Sequence, residues 1–134
     1  MKRKRTVIAI MVSLVGAVLW GRYAFRTETV DNPSLGFMSY HYQWGRRSWL
    51  LADTNRDGKV DFKARLDRES GLPEESWEDR DKNGVFEVHL IVDGSSISTL
   101  EYDEDQDGHY DTRKTGTEAS ALWNKITSGS DPKS

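Results

Sequence analysis

Three copies of one short acidic pattern constrain the fold of this chain more than any other feature of its sequence. Each copy reads D-x-[DN]-x-[DN]-G-x-φ-[DE], where φ is apolar or aromatic, and the copies occupy residues 53–61, 79–87 and 103–111. Three full matches indicate a repeated structural unit and not merely an Asp-rich composition. We call these segments loop 1, loop 2 and loop 3, and number the positions in each from one to nine.

The spacing of the oxygen-bearing side chains suits a hard divalent cation. Calcium takes six to eight oxygen ligands from carboxylates, amides, backbone carbonyls and water. Side chains at positions 1, 3 and 5 of a tight loop converge, glycine at position 6 permits the sharp turn, and position 7 offers its carbonyl. Position 9 adds a carboxylate, and we expect the apolar residue at position 8 to turn inward and tie the loop to the core.

The residues around the loops predict strands and not helices. An EF-hand needs a bidentate Glu at position 12, where this chain has Ala64, Leu90 and Lys114. After loop 1 and after loop 2, apolar and polar residues alternate with the period of a strand over residues 60–66 and 86–92. We therefore expect calcium-type loops at the tips of β-hairpins.

The loops resemble the calcium-binding hairpin loops of integrin alpha-subunit propeller repeats and, more loosely, those of EF-hands. That resemblance covers nine residues per loop and implies side-chain ligands at positions 1, 3, 5 and 9 with a carbonyl at position 7. The implied sets are Asp53, Asn55, Asp57, Lys59 and Asp61; Asp79, Asp81, Asn83, Val85 and Glu87; and Asp103, Asp105, Asp107, His109 and Asp111. The loops lie too close together in sequence for propeller blades, so the resemblance concerns loop chemistry alone.

The same pattern predicts a mainly β domain over residues 37–127. Asp93-Gly94 between two alternating runs is a strong hairpin signal. We expect an antiparallel meander of about six strands, built from three hairpins, with all three loops at one end of the sheet. Ala119, Leu122, Trp123 and Ile126 form the apolar stripe of a short C-terminal helix, which Thr115 or Thr117 can cap. Residues 128–134 are expected to be a flexible tail.

The N-terminal segment has the pattern of a membrane signal. Four basic residues, Lys2 to Arg5, precede the uncharged run from Thr6 to Trp20. We expect residues 1–26 to be a signal-anchor whose transmembrane helix contacts the membrane through residues 6–25, followed by a linker over residues 27–36. The flanking charges place the N-terminus in the cytoplasm and the domain outside it, periplasmic or extracellular, or secreted if the signal is cleaved.

Charge and composition exclude several function classes. The chain carries a formal charge of −3, but residues 27–134 hold 13 basic and 22 acidic residues, a formal charge of −9. Nucleic acid is therefore not an expected partner, because phosphate contacts need a basic face. The absence of cysteine excludes disulfides, thiolate metal sites and thiol nucleophiles. The three histidines, His41, His89 and His109, show no metal-ligand spacing.

These observations predict a membrane-anchored calcium-binding β module with a structural, adhesive or interaction role and no enzymatic activity. Its partner would be an extracytoplasmic protein or polysaccharide. One alternative is a small secreted hydrolase with structural calcium. Another is a metal-free interaction domain that uses the aromatic stretch Tyr40–Trp49, which we otherwise interpret as a half-buried hairpin turning at Gly45. Glu74, Glu75 and Glu78 beside Pro73 are expected to form a solvated connection.

Overall fold

Each strand of the sheet is hydrogen-bonded to the strand that precedes it in the chain. The computed structural model describes residues 16–129 as one eight-stranded antiparallel sheet in the order β1 to β8, with a helix at each end of the chain segment. The strands are β1 (Thr27–Asn32), β2 (Gly36–Gln43), β3 (Arg46–Asp53), β4 (Phe62–Leu66), β5 (Pro73–Glu78), β6 (Val88–Asp93), β7 (Ser96–Tyr102) and β8 (Thr112–Thr115). Residues 16–24 are helical and are called α1, and α2 is Gly116–Thr127.

The mainly β meander with a C-terminal helix is confirmed, but the predicted strand count was too low. Strand β1 lies in the segment expected to be a linker, and it pairs with β2 from Thr27 opposite His41 to Asn32 opposite Gly36. As the edge strand it has exposed, largely polar side chains, so it lacks the apolar alternation by which strands are recognised in sequence.

Strand β5 is the second one missed, because its sequence is dominated by glutamates. It lies between β4 and β6, with Ser76 buried on one face and Trp77 on the other. Glu75 accepts hydrogen bonds from Arg65 and from His89 Nε2, at 2.9 Å each. The segment expected to be a solvated connection is therefore an interior strand. Its Glu75 carboxylate is hydrogen-bonded to groups on both neighbouring strands.

Helix α2 covers one face of the last strands and forms the core with them. Its buried residues Ala119 and Ile126 pack with Leu122 and Trp123 against Val88, Leu90 and Leu100. The predicted apolar stripe is thus the face that meets the sheet. Thr115 is the N-cap residue in an extended conformation, and its side chain makes no capping hydrogen bond within the described chain.

A row of stacked aromatic rings lies on the opposite face of the sheet, where side chains of loops 2 and 3 also pack. The Trp77 ring lies between Trp49 and His89, with centroid distances of 5.7 and 4.8 Å. Phe86 of loop 2 contacts the Lys63 ammonium, and Tyr110 of loop 3 lies 5.8 Å from the His89 ring.

These two position-8 side chains therefore fold back onto the sheet, on the face away from α2. Val60, at the same position of loop 1, is 39 % exposed, the same fraction as Tyr110. Phe86 of loop 2 is therefore the most covered of the three position-8 side chains.

The hairpin of β2 and β3 joins α1 to the sheet. Its two-residue turn, Trp44-Gly45, has positive φ at both residues, as a type I′ turn requires, and the Gly45 N–H donates to the Ala24 carbonyl of α1. Within residues 16–129 no helix is long and apolar enough to cross a membrane. Half of the predicted span, residues 6–15, lies outside the described residues, as do 130–134 of the predicted tail.

Candidate metal centre

All three loops lie at the same end of the sheet and share one backbone conformation. They connect β3 to β4, β5 to β6 and β7 to β8, so in a meander they fall on one side. Position 6 is glycine with φ between 88° and 98° in every copy, where a Cβ would be strained. Position 4 also has positive φ, although it is occupied by Arg56, Lys82 and Gln106. Because the positive φ at positions 4 and 6 recurs in all three loops, we treat the three segments as copies of one structural unit.

The position-1 aspartate organises each loop by accepting backbone hydrogen bonds. In loop 2 the Asp79 carboxylate accepts from the N–H of Asn83 at 3.2 Å and of Gly84 at 2.8 Å. Asp53 accepts the equivalent pair in loop 1, and Asp103 accepts from Gln106 and Gly108 in loop 3. All three aspartates are buried. Each loop is consequently folded around its position-1 aspartate.

The position-9 carboxylate closes each loop through the N–H at position 2. Glu87 Oε1 accepts from Arg80 at 2.6 Å, Asp111 Oδ2 from Glu104 at 3.0 Å, and Asp61 from Thr54. Because these bonds span seven residues, they bring the ninth residue back beside the first. This explains why a ligand set spread over nine positions can gather at one point.

Two of the loops gather three carboxylates tightly enough to hold a metal ion. Oxygen atoms of Asp79, Asp81 and Glu87 lie within 4.8 Å of one another, and so do those of Asp103, Asp105 and Asp111. Loop 1 offers Asn55 at position 3 in place of an acid, so it cannot form the equivalent all-carboxylate group. Positions 1, 3 and 9 thus supply the clustered acids.

The position-5 side chain of each loop accepts a local backbone hydrogen bond. Asp57, Asn83 and Asp107 each accept the position-7 N–H through a side-chain oxygen, at 2.7 to 2.8 Å. Asp107 is not among the three converging acids of loop 3. The hydrogen bond from Lys59 N–H, followed by that from the Asn55 amide, lowers the pKa of Asp57. Direct ligation by position 5, and by the carbonyls of Lys59, Val85 and His109, stays a prediction.

One carboxylate oxygen of loop 2 is buried and has no hydrogen-bond partner in the part of the chain that the structure describes. Glu87 is 4 % exposed, and its Oε2 has no hydrogen-bond partner among the described residues. Burial, followed by the neighbouring carboxylates of Asp81 and Asp79, raises the pKa of Glu87. A buried carboxylate oxygen left unpaired is costly, and a bound cation would remove that cost.

In loop 3, burial and nearby acidic groups raise the pKa of the aromatic residue Tyr110. Burial, followed by the negative charges of Glu101, Asp103 and Glu87, raises the pKa of Tyr110 to about 12. Its hydroxyl donates a hydrogen bond to the Phe86 carbonyl at 3.2 Å. Acidic charge is therefore concentrated around loops 2 and 3 together, and a cation in either would be attracted by both.

The position-4 residues form contacts between loops that the sequence analysis missed. Arg56 of loop 1 binds Asp31 near the end of β1, Lys82 of loop 2 reaches into loop 1, and Gln106 of loop 3 reaches into loop 2. An alignment of the three copies would have pointed to these contacts, because position 4 always bears a long polar side chain.

A groove at the other end of the sheet offers no acid–base pair. It lies between the connection that links β4 to β5 and the Gly94 turn, and Asp67 and Asp93 are among its lining residues. Hydrogen bonds from the Ser70 backbone and hydroxyl lower the pKa of Asp67, which is the opposite of what a general acid requires.

Comparison with protein-family models, with curated protein sequences and with solved structures finds no match to this chain. The arguments about its function therefore depend on the geometry of the loops and on the surfaces around them.

Proposed function

We propose that this protein binds calcium through loops 2 and 3, and that the bound cations stabilise one end of a β-meander domain. The observation that carries the proposal is the Oε2 of the buried Glu87, which has no hydrogen-bond partner among residues 16–129, in a side chain whose carboxylate is grouped with those of Asp79 and Asp81. Each group provides three carboxylates from side chains whose loop is already closed by backbone hydrogen bonds. A cation entering such a site needs little further ordering of the chain.

The donor chemistry favours calcium over the softer transition metals. Both groups consist of carboxylate oxygens, and the remaining candidates are amide and carbonyl oxygens and water, which suit calcium or magnesium. Calcium accepts irregular coordination by six to eight oxygens, whereas magnesium demands a near-ideal octahedron. A cation site in an extracytoplasmic module works with a dissociation constant of about 10⁻⁴–10⁻³ M, because calcium is abundant there.

Titration calorimetry of the full chain in detergent, with calcium and separately with magnesium, tests the proposal. We expect calcium uptake at millimolar concentrations or below and a higher melting temperature in calcium than in a chelator. Glu87→Gln should weaken uptake at loop 2. Glu78→Gln is the matched control, since it makes the same change of charge just outside the loop, at a residue whose nearest cation is Arg80. Absence of calcium uptake by the unsubstituted chain would refute the proposal.

We also propose that the end of the domain opposite the loops faces a membrane. Three rings gather there: Trp44 lies 5.8 Å from Trp20 and 4.9 Å from Phe25. All three are more than half exposed, at 54 %, 57 % and 52 %. Exposed aromatic clusters of this kind are typical of membrane–water interfaces, and the cluster directly follows the apolar run Thr6–Trp20. Strands of eight residues would hold the loops about 26 Å from that surface.

Tryptophan quenching tests the membrane part independently of calcium. The full chain is reconstituted into vesicles whose lipids carry bromine near the headgroup, and quenching is compared with unlabelled vesicles. Trp44→Phe should lower the amount of fluorescence that is quenched, whereas Trp77→Phe, on the ring row of the sheet face, should leave that amount unchanged and lower only the unquenched remainder. Equal losses in both variants, or none in Trp44→Phe, would contradict this orientation.

The proposed role is structural or adhesive, with an extracytoplasmic protein or polysaccharide as partner and no catalysis. Cations would hold loops 2 and 3 closed, which join β5 to β6 and β7 to β8. The alternative of a metal-free interaction surface at Tyr40–Trp49 is weakened, since Tyr40 and Tyr42 are covered by the guanidinium groups of Arg47 and Arg26, at 4.1 and 3.7 Å from the rings.

A further inference from the structure

The side chain at position 4 of each loop reaches a preceding strand or loop at the same end of the sheet. Arg56 Nη2 lies 2.7 Å from Asp31 Oδ1, near the end of strand β1. Gln106 of loop 3 donates to Asp81 of loop 2 at 2.6 Å and accepts from Asn83 at 2.7 Å. The left-handed backbone conformation at position 4, with φ between 61° and 65°, is the shared feature of the three residues that make these contacts.

Lys82 makes the contact that differs in kind, because it places a positive charge on a ligand of another loop. Its ammonium lies 3.0 Å from Asp61 Oδ2 and 2.9 Å from Thr54 Oγ1, both in loop 1. Arg56 carries a charge as well, but its partner Asp31 is not one of the nine residues of any loop. Gln106 is neutral.

The position-9 carboxylates of loops 1 and 2 are satisfied to different degrees. Asp61 is 3 % exposed and accepts from the Thr54 N–H, the Thr54 hydroxyl and the Lys82 ammonium. Glu87, at the same position in loop 2, is equally buried, but its Oε2 has no partner within residues 16–129. Asp61 therefore has a positive counter-charge from Lys82, whereas Glu87 Oε2 has no such partner among the described residues.

We infer that the Lys82 ammonium is a built-in counter-ion of loop 1, so that loops 2 and 3 take divalent cations while loop 1 does not. This inference rests on the proposed calcium binding. A divalent cation in loop 1 would meet a like charge about 3 Å from one of its ligands, and would have to displace two hydrogen bonds to enter. Lys82 therefore determines which of the three homologous loops binds metal.

The same contact links the two loops physically. Lys82 belongs to loop 2, between its predicted ligands Asp81 and Asn83. Ordering of loop 2 therefore also positions the counter-ion of loop 1. The buried carboxylate of Asp61 in loop 1 thus obtains its counter-charge from the neighbouring loop, through Lys82.

Counting bound calcium tests the inference, by equilibrium dialysis of the full chain in detergent with radioactive calcium. The unsubstituted chain should bind two ions, and Lys82→Gln should bind one more, with a dissociation constant in the millimolar range or below. Glutamine is the residue that loop 3 carries at this position, at nearly the same φ, so the backbone of loop 2 should tolerate it. Lys82→Gly, which suits a positive φ, is the second variant should Lys82→Gln fold poorly.

Arg56→Gln is the matched control, since it removes one positive charge from loop 1 itself without touching a ligand. It should leave the number of bound ions at two, and so should Lys82→Arg, which retains the charge. The inference is overturned if the unsubstituted chain binds three ions, if Lys82→Gln and Lys82→Gly bind no additional ion, or if Arg56→Gln gains one equally.

Failure of the proposed function has a different signature, because the unsubstituted chain would then bind no calcium at all. In that case a single ion gained by Lys82→Gln would still support the role of Lys82, and no gain would overturn it.

Discussion

At the scale of single residues, the loops use local hydrogen bonds to hold acidic groups close together. Asp79 and Glu87 are buried at the two ends of loop 2 and each accepts backbone N–H groups, so their negative charges are partly balanced before any cation arrives. The balance is incomplete at Glu87 Oε2. That one oxygen is where the metal-free and the cation-bound states of the protein should differ most.

Glu87→Gln should have opposite effects on the metal-free and calcium-bound proteins. In a chelator the variant should be as stable as the unsubstituted chain or more so, because a neutral amide is buried more easily than a carboxylate. In calcium its melting temperature should rise less, since one ligand charge is gone. Thermal unfolding followed by circular dichroism in both conditions checks this, and a variant that is much less stable in the chelator would contradict it.

The raised pKa of Glu87 predicts a pH dependence of the metal-free state. A carboxyl group whose pKa is raised by folding binds its proton more tightly in the folded chain, so its contribution to stability is lost as pH rises from the ordinary value of 4.5 through the raised one. Urea unfolding without calcium at a series of pH values should therefore show, relative to Glu87→Gln, a free energy of unfolding that falls with rising pH across this window. A difference between the two proteins that stays constant with pH would contradict the prediction.

At the scale of elements, stability depends on the contact of α2 with β6 and β7. Leu100 is fully buried on β7 and packs in the cluster with Ala119 and Ile126 of the helix. Leu100→Ala should lower the free energy of unfolding by about 2–5 kcal/mol, the usual cost of truncating a buried leucine. Leu35→Ala is the control, since Leu35 is 51 % exposed and its loss should cost little. Urea denaturation of both variants provides the comparison, and similar midpoints would contradict the assigned core.

The loops themselves should tolerate substitution at position 6 poorly. Gly84 has a φ of 98°, and although the space around a Cβ there is open, the backbone conformation is strained for any other residue. Gly84→Ala should lower the free energy of unfolding by about 1–2 kcal/mol and weaken calcium uptake at loop 2. Ala121→Gly on the exposed side of α2 is a comparison of opposite sense, expected to cost about 1 kcal/mol without changing calcium uptake.

At the scale of the whole molecule, the predicted ligand carboxylates are concentrated at one end of the sheet. Ten of the 22 carboxylates occupy predicted ligand positions in the three loops, which share one end of the sheet, while the exposed aromatic cluster lies at the other end. The calcium-binding end and the proposed membrane-facing end are thus separated by the length of the strands. This separation would leave the loops accessible to calcium and to a partner.

Clustered acidic charge makes the metal-free protein sensitive to ionic strength. Like charges a few ångströms apart repel each other, and monovalent salt screens that repulsion over a Debye length of about 10 Å at 0.1 M. Raising sodium chloride in the presence of a chelator should therefore raise the melting temperature, and the rise should be smaller in saturating calcium. A larger effect of salt in calcium than in the chelator would contradict this account.

The sequence by itself determined the local structure of the loops. Residues no more than nine positions apart set the turn at glycine, the hydrogen bonds to the first and ninth carboxylates, and the strand alternation on either side. The apolar stripe of α2 was predictable for the same reason, because the period of a helix is visible in neighbouring residues. The edge strand β1 and the glutamate-rich β5 were not, since their place in the sheet depends on partners on other strands.

Only the tertiary structure decided which contacts each loop receives from its neighbours. The register of the sheet brings Lys82 against Asp61 and Gln106 against Asp81, and it leaves Glu87 Oε2 without a hydrogen-bond partner among the described residues. These contacts join residues about 20 or more positions apart, so no local pattern contains them. The sequence already sets loop 1 apart by Asn55 at position 3, and the packing of one loop against the next adds differences that no single copy of the repeat contains.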